Sequence, residues 1–149
     1  MDCIEQTIHI SRLDMNFGET DLTKLLNSLS PELSHDEYVF CSLKGNYGDF
    51  AELKPIASFQ ETEGLTLIIT KEAAESHNID FASTHRLITL KAHSSLDAVG
   101  LTAAVSRELA DSQISANVVA ARYHDHIFVD SKKAELALQV LIALSESHV

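Results

Sequence analysis

After Arg86 the spacing of apolar residues changes period from one segment to the next, and few orders of elements fit it. Arg86 to Ala92 carries the β-branched and apolar content of a strand, and His93-Ser94-Ser95-Leu96-Asp97 is a polar loop. Leu101, Val105 and Leu109 then recur at helical spacing, with Arg107, Glu108 and Asp111 turned away from them. Ile114 to Ala121 and His126 to Val129 read as a hairpin turning through Tyr123-His124-Asp125. Ala137, Val140, Leu141 and Leu144 mark a closing helix, so the second half runs β, α, β, β, α.

The first half carries a comparable order. Leu22, Leu25, Leu26 and Leu29 fall on one helical face, with Asp21 at the positive end of the helix and Pro31 ending it. Glu37 to Leu43, Ile56 to Phe59 and Leu65 to Ile69 read as strands, the last two joined through Glu61-Thr62-Glu63-Gly64. Lys44 to Asp49 is a glycine-containing loop, and a short helix from Lys71 to His77 takes Thr70 as its cap. Asn78 to Thr84 connects the halves. Ile4, Ile8 and Ile10 share one parity, which reads as a weak strand or a terminal extension.

Charge and composition narrow the function classes. A chain of 149 residues with 45% hydrophobic and 22% charged residues can fold throughout as one domain or as two small modules sharing a core. Its 22 acidic residues against 11 Lys plus Arg give a net charge of −11, whose field repels phosphate backbones and anionic lipid, so nucleic acid and membrane surfaces are not expected partners. An anionic small molecule stays possible, because backbone N–H groups at a helix start act locally. Two cysteines, Cys3 and Cys41, form neither a disulfide framework nor a metal-site spacing. The first residues lack the pattern of a secretory signal, and no apolar run has the length of a membrane span, so the expected location is cytoplasmic.

The order strand, Asp97-Ala98-Val99-Gly100-Leu101, helix, Ile114-Ser115-Ala116-Asn117-Val118, hairpin resembles the layout of an ACT domain. Tyr38-Val39-Phe40-Cys41, Pro55-Ile56-Ala57-Ser58-Phe59, Glu63-Gly64-Leu65-Thr66-Leu67 and His124 to Val129 are similar to segments of small bacterial proteins with two ACT-like modules. The resemblance spans roughly residues 18 to 145. It implies an α+β fold of tandem, ferredoxin-like ACT domains, with antiparallel sheets and helices packed on one face, as in the regulatory part of aspartate kinases and in cellular arginine sensors. On that layout residues 1–17 are an N-terminal extension, 18–82 a first module and 83–149 a second. A full βαββαβ module needs one more strand than either half supplies. The halves complete each other's sheets, or use Ile4 to Ile10, or use a second subunit, and two interlocked modules fit best.

The resemblance further implies a regulatory protein without catalysis or cofactor, a small-molecule ligand such as an amino acid at the seam between modules, and a homodimer. Its candidate site is the loop Ser94, Ser95, Asp97, Ala98, Val99, Gly100 and Leu101, with Asn117 and Val118 on the facing strand. A strand end that passes into a helix start presents unpaired N–H groups to a carboxylate, Gly100 permits close approach, and Asp97 and Asn117 can take an ammonium group or a side chain. The alternative is that Ser95 or Asp97 caps the helix and Gly100 serves packing. Val99 stands where many ligand-binding ACT loops, patterned Asp, any residue, Pro, Gly, have their proline.

Other constellations are weaker. His93, His124 and His126, with the Asp125 carboxylate, are zinc-type ligands, but H-x-H across a turn is not a zincin pair, and a polar turn whose two histidines flank Asp125 is the better explanation. Cys41 lies in an apolar strand without a basic sequence neighbour, as a buried small hydrophobe does. No glycine-rich phosphate loop or nucleophile elbow is present. Besides ligand binding, the sequence leaves open a partner-binding module that pairs through exposed sheet edges.

Overall fold

The computed structural model describes residues 18–148. Four helices, α1 (Leu22–Asn27), α2 (Lys71–Ser76), α3 (Leu101–Asp111) and α4 (Ala134–Glu146), pack on a sheet of six strands. The strands are β1 (Pro31–Leu43), β2 (Ala57–Gln60), β3 (Leu65–Thr70), β4 (His85–Leu90), β5 (Ala116–Ala120) and β6 (Asp125–Asp130). Their spatial order is β2-β3-β1-β4-β6-β5, antiparallel at every pairing. This is the ferredoxin-like α+β architecture expected of the sequence, with both halves drawn into one sheet.

The join is the pairing of β1 with β4. One end of β1 pairs Pro31 with Leu90 and Leu33 with Ile88, the register shifts between Leu33 and Glu37, and the strand resumes with Glu37 opposite Arg86 and Tyr38 opposite His85. The other end pairs along β3, from Tyr38 with Thr70 to Leu43 with Leu65. One strand of 13 residues therefore serves both halves, which is how each does without a strand of its own. α1 ends earlier than expected, at Asn27 with Ser28 as its C-cap, so Leu29 follows the helix and Pro31 does not end it; Pro31 begins β1, a position where its missing N–H costs no ladder bond.

Alternation along the strands sorts the side chains onto two faces. On the helix side, Ile88 and Leu90 of β4 and Ile127 and Val129 of β6 pack beneath α1, α3 and α4. Leu25, Leu26 and Leu29, from the first half, lie in that same core with Leu101, Val105, Leu109, Leu141 and Leu144. A second core on the same side sets Val39, Cys41, Leu67 and Ile69 against Ala74 of α2 and Leu53. Leu53 and Phe50 come from a 3-10 turn, Tyr47–Leu53, where the sequence suggests only loop; a period of three brings both side chains to one side. Asn46 N–H donates to Asp49 Oδ2 (2.9 Å) at its start.

The opposite face carries no helix, yet Tyr38, Ile68, Leu87 and Phe128 are buried there. Phe128 meets Tyr38 and Phe40 edge to face, with centroids 5.7 and 5.5 Å apart. Ile56 and Ala57 at one sheet edge line the same cavity as Val119 and Ala121 at the other, so the sheet is strongly curled and this face is concave. Residues 1–17, with the strand-like parity of Ile4, Ile8 and Ile10 and with Cys3, lie outside the described residues.

Candidate functional site

Past the end of β4 the chain runs alongside the segment that leads into α1. Glu19 and Ser94 form a parallel bridge: Glu19 N–H donates to the His93 carbonyl (2.9 Å) and Ser95 N–H to the Glu19 carbonyl (3.0 Å). A Cβ on Gly18 would lie 2.6 Å from the Ser94 carbonyl carbon and 2.7 Å from Ser95 N, so the approach needs glycine. Glu19 accepts from the N–H groups of Asp21 and Thr20 at 2.9 Å each, and these bonds hold its carboxyl below the usual range.

Within the loop, Ser95 shapes the backbone. Its Oγ accepts from Asp97 N–H (3.2 Å) and its carbonyl accepts from Ala98 N–H (3.0 Å), so the serine is used in a turn and not on the helix. The N-cap of α3 is Gly100, at φ +102, a left-handed conformation that glycine tolerates. No side chain caps α3, and its first turn holds no acidic residue. Its leading N–H groups therefore remain open at the positive end of an 11-residue helix.

A cavity of about 60 Å³ lies against this helix start, lined by Ser94, Ser95, Leu96, Ala98, Leu101 and Thr102 and closed by Ala120 and Asp125 from the β5–β6 hairpin. Asp125 is 7% exposed, the one buried charged side chain among the described residues. Burial pushes its carboxyl above the ordinary range, with partial relief from the imidazoles of His126 and His124, and no hydrogen bond offsets the lost hydration. The arrangement offers N–H groups for an anion on one wall and a desolvated carboxylate for a cation on another.

The sequence-derived residues divide. Ser94, Ser95, Ala98 and Leu101 line the cavity, and Gly100 starts the helix beside it. Asp97 is exposed and Val99 is 85% exposed, and neither lines the cavity. Asn117 stands opposite Phe128 on the concave face, where its Nδ2 donates to the Phe128 carbonyl (3.3 Å); the sheet separates it from the loop. Val118 has the opposite parity and packs against the helix-side core. Thr102 and Ala120 have no candidate role in the sequence, and Asp125 reads there as a turn residue between two histidines and not as part of this site. The hairpin turn ends at His124, with Ala121 N–H donating to its carbonyl (3.1 Å), so Asp125 is not a turn residue but the first residue of β6, in phase with the buried Ile127 and Val129.

The junction of the halves holds charges of its own. Arg86 donates to the Ser34 carbonyl through Nε (3.0 Å) and Nη2 (2.6 Å) and pairs with Glu135 (3.2 Å), while Glu37 accepts from Lys71 (3.2 Å) and Thr84 (3.1 Å). The Lys71 contact leads in holding the Glu37 carboxyl below its ordinary range. These bonds occupy the helix side of the β1–β4 join, so the cavity at α3 lies at one end of the second half, against Gly18–Leu22, and not on that join.

The histidines are dispersed. His93 packs on Tyr123 (5.5 Å between centroids), and His126 Nδ1 meets Thr89 Oγ1 (3.1 Å). Among the described residues no three His, Cys, Asp or Glu side chains are grouped to hold a metal ion. Cys41 is buried, and burial raises its thiol pKa, which keeps it protonated and unreactive. No helix among the described residues is long and apolar enough to cross a membrane.

Comparison with known proteins agrees with this architecture. The ACT domain family matches twice, over residues 17–86 and 82–143. A Vibrio cholerae protein of unknown function, termed a possible transport protein, is 49% identical over 83% of this chain and 95% of its own, with a TM-score of 0.77. The ligand-free regulatory subunit of aspartate kinase from Thermus thermophilus shares the fold at 10% identity, over 78% of this chain and 97% of that one, with a TM-score of 0.56. An Agrobacterium tumefaciens protein does so at 13% identity, over 77% and 87%, with a TM-score of 0.58. No curated protein matches. The chain belongs to the ACT domain family, as two ACT domains in tandem sharing one sheet.

Proposed function

We propose that this chain is a regulatory module that binds a small zwitterion, such as an amino acid, in the cavity at the start of α3. ACT domains are regulatory, non-catalytic ligand-binding modules, and the family supplies the role. The observation that carries the site is the pairing of an uncapped helix start with a buried carboxylate that has no hydrogen bond. A ligand carboxylate on the N–H groups of Leu101 and Thr102, with its ammonium group beside Asp125, would compensate both. Asp125 takes the role that the sequence suggested for Asp97, and Asn117 takes no part. A space of about 60 Å³ holds the common α-carbon portion of an amino acid, so a larger side chain has to project past Ser95 and Leu96 at the mouth.

The test is a thermal-shift screen of the twenty amino acids. A ligand at 100 times its dissociation constant adds about 2.7 kcal/mol to a protein that binds it only when folded. A shift with one or a few small amino acids, lost in Asp125→Asn, supports the reading. A flat response to all twenty at millimolar concentration would remove it.

A further inference from the structure

The two halves repeat one pattern, and its register can be followed residue by residue. β3 pairs with β1 from Leu65 opposite Leu43 to Thr70 opposite Tyr38, and β6 pairs with β4 from Asp125 opposite Leu90 to Asp130 opposite His85. Both hairpins close in the same way: Glu61 N–H donates to the Gly64 carbonyl (2.9 Å) and Ala121 N–H to the His124 carbonyl (3.1 Å). Gln60 and Leu65 therefore hold in the first half the places of Ala120 and Asp125 in the second. The 3-10 turn Tyr47–Leu53, which follows β1, holds the place of α3, which follows β4.

The two helix starts differ at the groups that would hold a zwitterion. α3 has no side-chain cap and no acidic residue in its first turn. In the first half Asp49, the third residue of its turn, folds back so that its Oδ2 accepts from Asn46 N–H (2.9 Å). A carboxylate supplied by the chain thus already stands at the positive end of that turn. The counterpart of Asp49 in α3 is Ala103, which is exposed. The facing wall differs too. Leu65 is 3% exposed and packs with Leu43 and Leu53 in the second core, so it offers nothing to an ammonium group, whereas Asp125 in the same place is a buried carboxylate without a hydrogen bond.

Given a zwitterion site at α3, as proposed above, we infer that the first half is closed by its own carboxylate and that the second takes the carboxylate it lacks from the ligand. One chain then holds one ligand, although it carries the pattern twice. The ligand carboxylate is anchored on the Gly100 N–H, as Asp49 is on that of Asn46, and the N–H groups of Leu101 and Thr102 lie beside it. Asp125 and the open position at Ala103 are the two differences that make the second half the binding half.

Amide NMR of the whole chain tests this, with glycine as the probe up to tens of millimolar and then the twenty amino acids pooled at millimolar concentration. Shift changes are expected at Gly100–Thr102 and Asp125 and not at Asn46–Gly48 or Leu65. Ala103→Asp copies the first half's carboxylate into α3. It is expected to raise the melting temperature by capping the helix and to weaken probe binding by roughly tenfold or more, a gain of stability with a loss of binding that damage to the fold cannot produce. Ala103→Asn, which lacks the charge, weakens binding less. Asp49→Ala lowers the melting temperature and leaves binding at α3 at its wild-type strength. Matching shift changes at both helix starts, or wild-type binding by Ala103→Asp, overturn the inference while the zwitterion site stands. Silence at every amide with both probes removes the site itself, and the inference with it.

Discussion

Replacing Asp125 with asparagine keeps the shape of the side chain and removes its charge. In the wild type the carboxylate is 7% exposed and has no hydrogen bond to compensate the hydration it loses on folding. An unpartnered amide at this position still carries a desolvation cost, and an unpartnered charge carries a larger one, so Asp125→Asn is expected to stabilise the unliganded protein at pH 7 by the difference, on the order of 1 kcal/mol. With about 2–4 °C per kcal/mol for a chain of this size, the melting temperature rises by a few degrees. The sign follows from linkage. A carboxyl with a raised folded pKa binds more protons in the folded state, so its contribution to stability is greatest below the unfolded pKa of about 3.9 and declines as pH rises through the folded value. The gap between variant and wild type therefore opens as pH increases and closes towards pH 4. Differential scanning calorimetry of both proteins in parallel, from pH 4.5 to 8, measures the gap and cancels the titration they share. An asparagine variant less stable than wild type at pH 7 would refute the reasoning, since it would mean that the charge is satisfied in the folded chain.

Three further outcomes follow from particular contacts. Gly18→Ala puts a methyl group within 2.8 Å of three backbone atoms of His93, Ser94 and Ser95, so it is expected to open the Glu19–Ser94 bridge and to speed hydrogen exchange at Glu19 and Ser95, read by NMR. Leu109, fully buried between α1, α4 and the sheet, should cost about 2–5 kcal/mol when cut to alanine, measured by urea unfolding. His85 and His126 have folded pKa values lowered chiefly by burial, so the stability they support is present above the unfolded pKa of about 6.5 and is lost as pH falls below it. His126→Gln should flatten that part of the pH–stability profile.

How much of this was legible depended on whether a single segment carried its own signal. The faces of α3 and α4 were read correctly because Leu101, Val105 and Leu109, or Ala137, Leu141 and Leu144, bury at their helical spacing. Residues Pro31 to Asp36 were not read as strand, since only Leu33 among them is a strand-type apolar residue; what makes them β1 is the pairing of Pro31 and Leu33 with β4, some 55 residues away. The same non-local cause moved the acidic candidate. Asp97 stood in the right loop, yet its backbone turn through Ser95 leaves the side chain in solvent. Asp125 carried a local sign, an acid in step with Ile127 and Val129 on the buried parity of a strand, and the polar run around it read as a turn. Asn117 followed strand alternation to the concave face, a matter of register that a one-residue slip reverses.

The shared sheet limits how a ligand at α3 can act. Two ACT domains joined by a linker can rotate against each other, but here β1 runs through both halves, and Leu25, Leu26 and Leu29 lie in the core beneath α3 and α4. Rotation about the β1–β4 join would break that ladder and expose those leucines, a cost far beyond the few kcal/mol that a small ligand supplies. A change at the cavity has a shorter route. Gly100 touches Leu22 across a gap that a single Cβ would narrow to 3.1 Å, and the loop is bridged to Glu19, so a shift at the start of α3 bears first on residues 18–22 and the start of α1. Ligand-induced changes in exchange or chemical shift should therefore concentrate at Gly18–Leu22 and Ser94–Thr102 and leave the β1–β3 pairing untouched. Changes spread evenly over both halves would point instead to a motion of the whole sheet.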